Sequence, residues 1–151
     1  MNTQSVFLSV LQSAYNRWLL TASLLSSVAG VIHAYYMPEH FEMWVGYGIF
    51  FLVVTVCQVL LPLILLGFRP VPRMVLWAGS LGNAAIIVMW LISRTSGLPY
   101  GPMIGEVEEI GVLDLTSKIA ELGVMVCLIV LMRMKANFGA NNGLRAQITS
   151  R

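Results

Sequence analysis

Long apolar runs alternate along this chain with short polar or turn-rich segments, and four of the runs fall at about 18–37, 45–68, 74–92 and 113–134. A helix rising 1.5 Å per residue needs about 20 residues to cross a hydrocarbon core about 30 Å thick, and each run meets or nearly meets that length. The pattern predicts an all-α polytopic membrane protein, a four-transmembrane-helix antiparallel bundle filling residues 1–151 as one domain. An outer loop at 93–112 and a polar tail at 136–151 complete it. Ahead of the first span, residues 5–16 set Phe7, Leu11, Ala14 and Trp18 on one helical face, apart from Ser9, Gln12, Ser13 and Asn16. An interfacial helix fits this, and so does a plain extension of the span.

The polar and small residues inside the runs suggest how the spans pack. Ser23/Ser27 and Ser26/Gly30 stand at small-xxx-small spacing in the first span, and Gly79, Ser80, Gly82, Asn83, Ala84 and Ala85 form a similar patch in the third, so these two spans are expected to pack together. Pro38 biases Met37 away from α geometry and suits the first turn of a new helix, with Glu39 and Glu42 near its positive end. In the second span Gln58 should face protein and Pro62 kink the helix; the stiff turn Gly67–Arg73 makes spans two and three antiparallel neighbours. Trp77 and Trp90 lie about 20 Å apart along a helix, the spacing of anchors at opposite interfaces. Gly97, Pro99, Gly101, Pro102, Gly105 and Gly111 exclude a regular helix from the outer loop. Asp114 is placed to cap the fourth span, where Asp114, Lys118 and Glu121 share one face.

Composition agrees with a membrane solvent. Hydrophobic residues make up 58% and charged residues 11%, with a mean hydropathy of +0.80, whereas soluble domains carry roughly 25% charged residues. Arg17 before an apolar stretch also resembles a secretory signal, but the leader is long and otherwise without basic side chains, and the run continues to the interfacial pair Tyr35–Tyr36. Cys57 and Cys127 sit in separate apolar runs with no C-x-x-C pair, which argues against a disulfide oxidoreductase. Seven of the nine basic residues, namely Arg17, Arg69, Arg73, Arg133, Lys135, Arg145 and Arg151, fall on one side, leaving Arg94 and Lys118 on the other. Positive loops stay inside, so the N- and C-termini are expected to be cytoplasmic and all seven acids to lie toward the outer face of a bacterial cytoplasmic membrane. The expected partners are the lipid bilayer and other membrane protein chains, not nucleic acid.

Candidate chemistry concentrates at the outer end. His33, Glu39, His40 and Glu42, with Glu106, Glu108 and Glu109 from the loop, are side-chain types that hold a divalent transition metal such as Zn²⁺, Cu²⁺ or Fe²⁺. No H-x-x-x-H or H-x-x-E-H spacing accompanies them, and an ordinary hydrogen-bonded corner explains the same residues. The intramembrane polar residues are Gln58, Asn83, Lys118 and Glu121. His33, Gln58, Asn83 and Glu121 supply one polar residue per span for a proton, an ion or a headgroup. His33 and Glu121, both expected in the outer third, are the pair most expected to meet, with Asn83 and Gln58 deeper. The two histidines flank one turn, which does not suit bis-histidine haem, and no G-x-S-x-G, P-loop or dinucleotide fingerprint is present.

The stretch from His33 through Pro38-Glu39-His40-Phe41 to Phe51, with Gln58 after it, and the stretch Ser93-Arg-Thr-Ser-Gly-Leu-Pro-Tyr-Gly-Pro102 with the acids up to Asp114, together resemble a group of uncharacterised bacterial four-helix membrane proteins that share a PEHF-type turn and an SRT-GLP-type outer loop. The resemblance covers about residues 30–121. It implies the four-span topology, draws attention to the outer loops and assigns no catalytic residue; the two outer loops are expected to fold together over the bundle mouth. The expected function is that of a non-enzymatic accessory subunit in a membrane assembly. Metal-ion or proton handling by the outer His/Glu cluster is the second reading and membrane-enzyme chemistry the third.

Overall fold

The computed structural model describes residues 3–149, with side chains for 9–134. It is all-α: α1 (Thr3–Met43), α2 (Val45–Gly67), α3 (Arg73–Thr95) and α4 (Val112–Thr149). Each helix contains a segment long and apolar enough to cross a membrane: Ser9–Met43, Val45–Gly67, Arg73–Thr95 and Val112–Met134. The residues before the first predicted span extend α1 instead of forming a separate helix, and the backbone of α4 continues into the predicted polar tail. The expected apolar position of Phe7 and the tail side chains lie outside the described residues.

The predicted break at Pro38 is not where the chain turns. α1 runs through Pro38 to Met43, and the corner falls at Trp44, whose extended backbone (φ −170°, ψ 137°) separates α1 from α2. Trp44 N–H donates to His40 O and its carbonyl accepts from Gly48 N–H, so one residue joins two helices. A β-carbon on Gly46 would fall on the Trp44 indole and one on Gly48 on the Phe41 ring, so the tight corner needs both glycines. His40 stacks on Phe51 at 3.6 Å and its Nδ1 bonds the Tyr36 carbonyl at 2.8 Å, contacts that hold the helix on both sides of the proline. Glu39 and Glu42 thus occupy the end of α1, not the start of a new helix.

α1 packs against α2 and α4, and α3 packs against α4. The expected pairing of the first and third spans does not occur. Ser26 and Gly30 of α1 meet α2, where the missing N–H of Pro62 deprives the Gln58 carbonyl of its helical partner. Ser26 Oγ donates to that carbonyl at 2.7 Å, and a β-carbon on Gly30 would stand 3.3 Å from Gln58 Cβ. Of the small patch of α3, Gly79 meets α4 at Leu128 and the Leu61 side chain of α2, while Gly82 and Ala85 are exposed. Spans two and three, joined by the expected short turn, approach each other there rather than along their length.

These contacts divide the bundle into two halves. At the end holding the α2–α3 turn, Leu19, Ala22, Leu61, Leu65, Leu76, Val124, Leu128 and Leu131 close a continuous apolar core. At the opposite end the α1–α2 corner meets the 96–111 loop, where Tyr47 Oη donates to Tyr100 O at 2.9 Å and Glu108 N–H to Ser93 O at 3.1 Å. The two connections at this end fold together, as the sequence suggests.

Candidate functional site

Between the apolar core and the loop lies a cavity of about 320 Å³ bounded by all four helices. It exists because α2 and α3 converge at Leu61 and Gly79 and are separated by the cavity nearer the loop end.

Its floor is formed by His33 and Lys118, which with Glu121 and Gln58 just behind them make a hydrogen-bonded tetrad. Lys118 Nζ donates to both oxygens of Glu121, at 2.8 and 2.7 Å, across one turn of α4. His33 Nε2 lies 2.7 Å from Glu121 Oε1, and Gln58 Nε2 donates to the same oxygen at 3.3 Å. Glu121 is 0% exposed and Lys118 4%. With Glu121 accepting these bonds, His33 donates from Nε2, and its Nδ1 has no hydrogen bond among the described residues. Phe51 packs edge-on against the imidazole at 5.3 Å.

The expected contact between His33 and Glu121 is present, farther from the end of α1 than a break at Pro38 would put it. Because α1 continues to Met43, His33 lies ten residues from its end, about 15 Å along the helix. Glu121 stands nine residues into α4, and Gln58, expected to be too deep to join, is level with both. Asn83 does not join them. Its Nδ2 donates to Gly79 O at 2.8 Å within α3, and its buried Oδ1 has no hydrogen-bond partner among the described residues.

The upper wall is organised by Arg94. One guanidinium nitrogen contacts Glu108 and Ser93 Oγ, the second reaches Asp114 Oδ2 at 2.8 Å, and the arginine is largely buried. Trp90 Nε1 donates to the same Asp114 oxygen. Asp114 is therefore not the cap of the fourth span: α4 starts at Val112, and the carboxylate ties its first turn to the end of α3. Trp90 is likewise drawn into this wall, whereas Trp77 remains exposed. Arg94 was not picked out by spacing. The available sign was its place as the only basic residue in the acid-rich outer loop.

Among the described residues no group of three or more His, Cys, Asp and Glu is arranged to hold a metal. The seven candidate ligands are dispersed. His33 engages Glu121, His40 bonds the Tyr36 carbonyl and Glu108 pairs with Arg94. All four remaining acids are exposed; Glu39 and Glu109 line the cavity mouth with no polar partner among the described residues, while Glu42 and Glu106 do not line it. Comparison with protein-family models, with curated proteins and with solved structures finds no match to this chain.

Proposed function

We propose that this chain is a non-enzymatic accessory subunit of the bacterial cytoplasmic membrane that receives a small ligand from the outer side. The observation that supports it best is the cavity ending on a fully buried ion pair. Each ionised group near a bilayer centre costs about 2.5–3.5 kcal/mol on insertion scales, and interior charges of this kind commonly mark a ligand or ion site. Beneath the tetrad the core is mainly apolar, and its buried Ser23, Ser80 and Asn83 donate to carbonyls of their own helices, so the cavity suits reception rather than passage through the membrane. The charge asymmetry of the loops supports cytoplasmic termini and an outward mouth. The resemblance of the PEHF and SRT-GLP stretches to bacterial four-span proteins supports the compartment.

The test is solvent access. In intact cells carrying Cys57→Ala and Cys127→Ala, a small membrane-impermeant methanethiosulfonate added outside is expected to modify Ser93→Cys, in the cavity wall, and not Ser80→Cys, buried in α3 beside the apolar core. Equal modification of both from outside would remove the blind cavity, and modification only from the cytoplasmic side would reverse the orientation.

The accessory role has separate support. Only 17% of the most apolar window of α3 is buried within the chain, the lowest share of the four spans, leaving Trp77, Leu81 and Val88 for lipid or another helix. Gentle extraction from native membranes is expected to bring other chains with it. A stable, monodisperse preparation of this chain alone that retains its function would overturn the accessory role.

A further inference from the structure

We infer that the cavity takes a monovalent organic cation, a protonated amine carried on an apolar body. This rests on the reading of the cavity as an outward ligand site and names the chemistry of its occupant.

The positive charges of the cavity already have partners. Arg94 is bracketed by Glu108 and Asp114, and Lys118 is held by both oxygens of Glu121. The groups left over are the carboxylates of Glu39 and Glu109 at the mouth and, at the floor, Nδ1 of His33, an acceptor in the neutral ring, on a residue only 5% exposed. Arg94 Nε, the unpartnered buried donor of the wall among the described residues, belongs to the guanidinium those two carboxylates bracket. With four carboxylates and two side-chain cations on its surface and Glu121 just beneath, the cavity favours positive charge and repels anions.

The walls select among cations. Tyr36, Tyr47, Phe50, Phe51, Trp90 and Tyr100 present aromatic surface, and ring faces attract a desolvated cation. Ile32, Ile86, Met89 and Leu98 add apolar surface that a hydrated inorganic ion would not use. A divalent metal lacks three convergent ligands among the described residues. A primary or secondary ammonium has N–H donors for the Glu39 and Glu109 carboxylates or for His33 Nδ1, and a quaternary ammonium has none. The volume, about 320 Å³, lies at the small end of ligand pockets and suits a body of one or two rings.

The experiment uses the full chain in nanodiscs with Cys57→Ala, Cys127→Ala and Ser93→Cys, and follows the rate of methanethiosulfonate modification. Saturating 2-phenylethylammonium is expected to slow it at least tenfold, while 2-phenylethanol and 3-phenylpropanoate at the same concentration leave it unchanged. Adding Glu39→Gln and Glu109→Gln should raise the half-protecting ammonium concentration at least tenfold. Equal protection by the alcohol, protection by the carboxylate, or protection by Zn²⁺ at lower concentration than the ammonium would each overturn the inference. If Ser93→Cys is modified and none of the probes protects it, the organic cation is wrong and the open cavity stands. If Ser93→Cys is not modified at all, the cavity reading fails and this inference with it.

Discussion

Lys118→Met is expected to destabilise the protein by about 3–5 kcal/mol, Glu121→Gln by a similar amount, and the double change Lys118→Met/Glu121→Gln by far less than their sum. Lys118 Nζ bridges both Glu121 oxygens, and neither residue has more than 4% of its surface exposed. Removing the lysine leaves a carboxylate supported only by His33 and Gln58; removing the carboxylate leaves an ammonium, an imidazole N–H and an amide facing a neutral acceptor. With both charges gone, the penalty of an unpaired charge disappears, and Met fills much of the volume. Glu42→Gln, at an exposed position at the end of α1, should stay within about 0.5 kcal/mol. Reversible unfolding in bicelles, read as a double-mutant cycle, measures the coupling. Strictly additive losses would mean that the two charges do not support one another. Negligible losses for both single changes would mean that water reaches Glu121 and that the tetrad is no buried site.

The helical class and the four spans were legible because the run lengths alone require them, and the meeting of His33 with Glu121 was legible because few polar side chains occupy those two spans. Depth was not. Counting from a helix end at Pro38 put His33 about one turn from the surface, whereas six further helical residues, held by the His40–Phe51 stack, lower it to the level of Gln58. That stack is a tertiary contact with no local sequence sign. Packing partners were misjudged for a related reason: small residues show that a helix can be approached, not which helix approaches. A finer clue was present at Pro62, since a proline inside a span frees the carbonyl four residues earlier and a short hydroxyl such as that of Ser26 can satisfy it across an interface. The candidate metal ligands were gathered by proximity in sequence, yet Glu39 lines the cavity mouth while Glu42, one turn nearer the end of α1 on the same side of the helix, does not.

Gly97→Ala is expected to unfasten the roof of the cavity while leaving the four helices intact. Gly97 has φ +73°, a conformation that costs an L-residue roughly 1–2 kcal/mol, and the added β-carbon would also press on the backbone of Gly105 and stand 2.6 Å from Glu106 N. Neither neighbour is a flexible side-chain end, so the loop must move. Its fastening is local: Gly105 N–H bonds Leu98 O at 3.1 Å, Glu108 N–H bonds Ser93 O, and Glu108 meets Arg94 beside Asp114. Displacing Gly105 pulls on each of these in turn. Gly82→Ala is the matched control, since α3 has ordinary helical geometry there and open space where the methyl would stand. In outward-facing vesicles, protease cleavage within 96–111 should accelerate at least about tenfold for Gly97→Ala, which corresponds to about 1.4 kcal/mol of lost closure, and be unchanged for Gly82→Ala. Helical circular dichroism should stay the same in both. Cleavage as slow as in the parent would mean that the loop accommodates the methyl elsewhere and that Gly97 does not fix the roof. A matching loss of helix would mean that loop and bundle unfold together.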